Sequence, residues 1–413
     1  MDGRAASLTI TDKIPHLMAA GITPLVVSAV TGRRDTRFPH WQVLPWGPAG
    51  LRFDLRHLLA LRWGRDWRYR LSTALISLVL LPFNLMERLL IGLQSQWSWT
   101  PAAIYRGWRV IRQYKPVVIY STGGAYSAHW AGFWLKRLTG VRWIAEVHDP
   151  MVTPGSTKTN RNLRFWAKLE GMICAEADHA WWFTDEALAA ARRRHPALGS
   201  RGFVVLPGAE PPLVTAHYRP TKKLVFGHFG SLSASRSLKP LIELLAGLRQ
   251  HAPDLLEAVR VECYGGSIDA PAREAIISTG LQAQFIDHGR LEFDSVSGLS
   301  GRERIQQRMH EVDCLLLIHG TLPECAEYIP SKWYDYLWAQ RPVVALTHLN
   351  PQLQQLVLEH GGYAAEIDHY DAVVRLLETV YADWRAGALR RSPLPPIGTG
   401  SAVATIVERV RGG

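Results

Sequence analysis

Two carboxylates, Glu327 and Asp335, stand eight residues apart in the stretch C-L-L-L-I-H-G-T-L-P-E-C-A-E-Y-I-P-S-K-W-Y-D-Y-L-W-A-Q-R-P-V-V-A-L, which runs from Cys314 to Leu346. Ser331 and Lys332 lie between them. Carboxylates accept hydrogen bonds from sugar hydroxyls. A helix amino end offers N–H groups to an anion, and a lysine in its first turn adds a full charge. Together these groups suit one elongated ligand carrying hydroxyls and phosphates, such as a nucleotide diphosphate. An ordinary helix with an acidic first turn has the same local sequence. A second pair, His148-Asp149, follows the apolar run Arg142 to Val147. A histidine at the carboxyl end of a strand either polarises a substrate or plays a structural part. Small residues recur at two such ends, Gly123-Gly124 and Gly230-Ser231, the second followed by Arg236. They permit a tight turn or a close approach of backbone to ligand. Arg236 is a candidate for a pyrophosphate or a solvated loop residue.

The elements that must hold these groups are legible from periodicity. Cys314 to Ile318 and Val343 to Leu346 are short apolar runs, as expected of buried parallel strands. Between them Trp333, Tyr336, Leu337 and Ala339 form the stripe of a compact helix that stops at Arg341-Pro342. Strands over Thr23 to Ala29, Val117 to Tyr120, Arg142 to Val147, Ala180 to Phe183 and Phe203 to Pro207 alternate with helices. A second series of strands starts at Leu224, Val259 and Phe285. This is βα repeated twice over, an α/β chain of two Rossmann-like domains facing across a cleft. The expected boundaries are 1–218, 219–390, and a Pro-rich linker with a terminal helix over 391–413 that returns to the first domain.

Acid, seven residues, acid, with P-S-K, then Y-x-Y-L and R-P-V-V, resembles the donor-site segment of retaining glycosyltransferases of family 4, which have the GT-B fold. The resemblance is to the branch reading P-S-K-x-x-E-Y-x-x-x-x-R-P, with Asp335 where that branch has Glu. It implies that Glu327 contacts the donor sugar, Asp335 the ribose, and Lys332 with the Ser331 backbone the phosphates. It also marks Gly230, Ser231 and Arg236 as donor-binding, His148 and Asp149 as catalytic, and Gly123 and Gly124 as acceptor-side. Family members often carry G-R where this chain has Gly230-Ser231, which shifts the pyrophosphate contact to Arg236. The implied reaction moves a sugar from a nucleotide diphosphate to an acceptor hydroxyl, by front-face attack or through a covalent intermediate. Lipid-linked or polysaccharide acceptors of bacterial surface glycans are expected. No metal and no cofactor beyond the donor is expected, since no D-x-D motif stands in a suitable loop. The alternatives are a nucleotide-sugar 2-epimerase of the same fold and a catalytically dead membrane scaffold. In the family a D-G-R loop such as Asp2-Gly3-Arg4 follows a first strand. That strand is absent here, so a missing upstream piece is expected.

A net charge of +11 over 413 residues points to an anionic partner. Arginines interleave with aromatics from Arg52 to Arg70, and no zinc-finger or RNA-binding signature occurs, so the partner is read as an acidic membrane face and not nucleic acid. The apolar stretch Ala74 to Met86 spans thirteen residues with Pro82 inside, which is too short to cross ~30 Å of hydrocarbon. It either lies in the interface or forms a hydrophobic hairpin of the first domain, within an insertion over about 41–99. The four cysteines lack C-x-x-C spacing and read as buried reduced thiols. The enzyme is therefore expected in the cytoplasm, peripheral on the inner face of the membrane.

Overall fold

The computed structural model describes residues 9–30, 34–124, 126–152, 160–218 and 220–411. The Asp2-Gly3-Arg4 loop lies outside them. The chain divides into two compact units, Met1–Pro207 with Thr399–Gly413, and Gly208–Gly398.

In the first unit, β1 (Val26–Ser28) and β2 (His40–Gln42) form a parallel pair. A second sheet holds β3 (Val118–Gly123), β4 (Arg142–Val147), β5 (His179–Trp182) and β6 (Gly202–Val204), all parallel and in that order. Alternation along the strands serves two cores. Trp143, Ala145 and Val147 face Leu169 and Ile173 of the helix Arg161–Glu176. Ile144 and Trp181 face Ala402 and Ile406 of the terminal helix Thr399–Arg411. That terminal helix also meets Leu17 through Val403 and Val407.

The second unit is one parallel sheet of β7 (Leu224–Gly230), β8 (Val259–Gly265), β9 (Phe285–Gly289), β10 (Cys314–Ile318), β11 (Val343–Thr347) and β12 (Tyr363–Glu366). Its order is β12-β11-β10-β7-β8-β9. β10 and β11 are buried at every position, as continuous apolar runs must be in a sheet covered on both faces. Strand order reverses between β7 and β10, and open α/β sheets bind ligands outside the carboxyl ends of the strands at such a reversal.

The units divide eleven residues ahead of the expected 218, because the intervening stretch is bound into the second unit. Trp338 Nε1 donates to Ala209 O at 2.9 Å, Leu213 N to Gln306 Oε1 at 3.1 Å, and Tyr218 OH to Asp313. The linker belongs there too, since Ala209 N donates to Ile397 O at 3.1 Å.

The apolar insertion differs from the thirteen-residue segment expected. It is a helical hairpin, Pro48–Trp63 followed by Trp67–Leu90, whose second helix is 24 residues long and runs through Pro82. Asp66 caps it by accepting from Tyr69 N at 2.9 Å. By length and composition this helix is sufficient to cross a membrane.

Candidate active site

At the reversal in the second unit, β7 ends at Gly230 and Lys332 arrives from the start of the helix Lys332–Trp338. Gly230 has φ of +126°, and a Cβ there would lie 3.1 Å from Lys332 Nζ. Only glycine combines that backbone angle with that approach. His228, two residues earlier and fully buried, places Nδ1 3.2 Å from Leu316 O. A carbonyl only accepts, so Nδ1 carries the proton and Nε2 accepts from Lys332 Nζ at 3.3 Å. Burial, then the charge of Lys332, holds His228 well below the usual histidine range. Burial, then the neighbouring Arg236, brings Lys332 down to about 7. Among the described residues no carboxylate pairs with Lys332 or Arg236. The arrangement is two cations, at the mouth of a strand, positioned for an anion.

Arg236 belongs to the loop after β7, which a 2.8 Å bond from Thr321 N to Ser235 O ties to the loop after β10. Its Nη2 donates to Tyr328 OH. Tyr328 follows Glu327, which is 3% exposed in the short turn Pro323–Glu327. Asn350 fastens this turn, donating from Nδ2 to Cys325 O at 3.1 Å and Tyr328 O at 3.0 Å. Its Oδ1 accepts from Leu353 N at 2.9 Å, capping the next helix. Ser331 is exposed at the start of the helix Lys332–Trp338, Asp335 is half-buried one turn on, and Ser231 is exposed beside Gly266. That helix has seven residues, so the local anion attraction rests on the two side chains more than on a helix dipole.

In the first unit the expected residues also converge. Gly123 ends β3 with Gly124 just after it, and His148 and Asp149 follow directly on the end of the adjacent β4. A Cβ on Gly124 would sit 2.8 Å from Asp149 Oδ2, so the missing side chain leaves room for that exposed carboxylate. His148 Nε2 lies 2.7 Å from Glu146 Oε1 and 3.1 Å from Thr122 Oγ1, while its ring packs on Phe183 at 4.7 Å. Nε2 keeps its proton and donates it in a hydrogen bond to the carboxylate, which leaves Nδ1 as the unprotonated nitrogen of the neutral ring. No partner for Nδ1 stands among the described residues.

Glu146 is itself saturated. Oε1 accepts from Thr122 Oγ1 at 2.7 Å as well as from His148. Oε2 accepts from Lys13 Nζ at 2.6 Å, Tyr120 OH at 2.6 Å and Trp181 Nε1 at 3.0 Å. Burial pushes this carboxyl up, but Lys13 and then His148 outweigh it and hold Glu146 well below the usual range. On the other face His129 is brought to about 4, by burial first, and sits 3.3 Å from Gly123 O through Nε2.

HepE of Anabaena, whose crystal structure is a complex with UDP, is similar over 74% of this chain and 77% of its own, at 16% identity and a TM-score of 0.52. OtsA in its apo form is similar over 76% of this chain and 78% of its own, at 11% identity and a TM-score of 0.51. The chain has the two-domain, Rossmann-like GT-B fold. No family model matches the sequence, and no curated protein matches it.

Within the GT-B frame, the donor-side candidates Gly230, Arg236, Lys332 and Glu327 share one end of the second sheet. The pair His148-Asp149 and the glycines Gly123-Gly124 share one end of the first. Four positions were not foreseen: His228, Asn350, Glu146 and Lys13. Glu146 sits inside the run Arg142 to Val147, where a carboxylate among the apolar residues Trp143 to Val147 is a signal. Lys13 carried none, because its partner lies 133 residues away.

Proposed function

We propose that this chain is a retaining glycosyltransferase, of the family 4 kind its P-S-K segment resembles, moving a sugar from a nucleotide-diphosphate sugar to an acceptor hydroxyl. The observation that carries this reading is the pair Lys332 and Arg236 beside Gly230 at the strand reversal, with no carboxylate partner among the described residues. The pair neutralises the leaving diphosphate. It thereby does the work of a divalent ion in other sugar transferases, so no metal and no further cofactor enters the proposed reaction. UDP is the first nucleotide to try, since HepE holds it. Glu327 takes the donor sugar, Asp335 the ribose, and the Ser331 backbone a phosphate oxygen. His148, with Nδ1 basic, and Asp149 are the groups of the first unit offered to hydroxyls, with Gly123 and Gly124 leaving space. The acceptor is a lipid-linked or glycan hydroxyl in bacterial surface-glycan assembly, met at the cytoplasmic face of the membrane.

The test is nucleotide release from a panel of sugar nucleotides, with and without a lipid extract as acceptor source. Lys332→Ala should cut turnover by roughly a hundredfold or more, as loss of a transition-state charge contact does, with little change in melting temperature. Unchanged turnover in that variant removes the phosphate assignment.

A further inference from the structure

The hairpin Pro48–Trp63 and Trp67–Leu90 leaves a long apolar face uncovered. Leu71, Leu75, Leu78, Leu85 and Leu89 recur at helical spacing on one side, and Leu78 and Leu89 are 68% and 77% exposed. An 18-residue stretch of the helix has a mean hydropathy of 1.5. Both feet of the hairpin are fixed at the same end. Glu87 accepts from Ala49 N at 2.9 Å through Oε2 and from Trp97 Nε1 at 2.8 Å through Oε1. The opposite end is the turn around Gly64, where Arg62, Arg65, Arg68 and Arg70 are all exposed. Arg62 lies over Trp63 and Arg68 over Trp67, each at 5.7 Å. Cations stacked on indoles are the chemistry of a headgroup layer.

At 1.5 Å per residue the second helix is about 36 Å long, enough for a hydrocarbon layer of ~30 Å. Spanning is nevertheless disfavoured by the topology. The chain turns at the arginine end and comes back to the feet, so crossing would carry four guanidinium groups through the hydrocarbon, where each is costly. Lying flat avoids this. From this geometry we infer that the hairpin is an in-plane anchor for an anionic bilayer. The leucine face sinks into the acyl boundary, and the arginine tip rests on lipid phosphates. The inference rests on the membrane part of the proposed function and not on the transfer chemistry.

The experiment uses the full chain and vesicles of phosphatidylcholine with or without phosphatidylglycerol. Flotation should be strong on anionic vesicles and about tenfold weaker on neutral ones. Leu78→Asp with Leu85→Asp should abolish it at an unchanged melting temperature, since both side chains face solvent. Arg65→Gln with Arg68→Gln should lower anionic binding to the neutral level. Arg65→Cys should react with a membrane-impermeant maleimide as fast on vesicles as off them. Protection of that cysteine would instead mean a spanning hairpin and overturn the in-plane arrangement. Absent flotation overturns the anchor, and if the lipid-free chain is then a dimer that Leu78→Asp dissociates, the face belongs to a second copy. Stabilisation by UDP, read on the same samples, reports the transferase reading separately, so either can fail alone.

Discussion

Lys332 Nζ stands 3.3 Å from the Nε2 of His228, a histidine whose proton is committed to Leu316 O. The ammonium is thus steered by a neutral acceptor in a buried setting, beside Arg236, and titrates at about 7. A bound diphosphate favours the charged form. Above pH 7 binding must therefore take up a proton, and nucleotide affinity should fall as pH rises, approaching about tenfold per pH unit. Below pH 7 Lys332 is already charged and the dependence from this group flattens. Lys332→Arg, charged throughout, should bind with little slope between pH 7 and 9. Calorimetric titration of UDP across that range checks this, and an equal slope in both proteins would assign the proton elsewhere.

Gly230→Ala places a methyl 3.1 Å from Lys332 Nζ on a backbone at φ +126°. Strain of this kind costs about 1–3 kcal/mol, and the lysine must also move. Nucleotide affinity should drop at least about tenfold, as 1.4 kcal/mol of lost binding implies. Retained affinity would show that Lys332 does not meet the ligand from its present position.

Lys13 and Glu146 form a buried pair at 2.6 Å, with side-chain exposures of 2% and 0%. Removing one partner of such a pair leaves an uncompensated charge and costs about 3–5 kcal/mol. Lys13→Met should lower denaturation stability by about that amount, and Lys13→Met with Glu146→Gln should recover much of it. Additive losses in the double variant would refute the coupling.

Asn350→Ala removes two donors to the turn that carries Glu327 and also a helix cap. A cost of about 2 kcal/mol is expected from a lost cap and orphaned carbonyls. The functional effect should divide: KM for the sugar nucleotide rises, while the Kd of the free nucleotide barely changes. A matched rise in both would place Asn350 with the phosphate contacts.

Much of this architecture was readable because it is local. The strands Arg142–Val147 and Cys314–Ile318, and the helices Tyr126–Thr139 and Asp185–Arg194, follow directly from apolar period and flanking stops. β2 and β12 escaped, since three or four residues of mixed character carry no period. Pro82 suggested a short apolar segment, yet the helix continues through it, the residue being exposed where its ring meets solvent. At the sites, Gly230, Lys332 and His148 announced themselves by type and position. His228 was hidden in the run Leu224–Gly230, and its meaning depends on Lys332, 104 residues on. Contacts at such separations leave no trace in a local pattern.

The most direct measurement is the melting temperature of the wild-type chain and of Lys332→Ala with UDP, GDP, dTDP and ADP, without added metal. A nucleotide at a hundredfold excess over its Kd stabilises the folded state by ~2.7 kcal/mol, a shift of several degrees for a unit of this size. Such a shift is expected with one nucleotide, UDP first, and is lost in Lys332→Ala. No shift with any of the four, in protein shown to be folded, would contradict it.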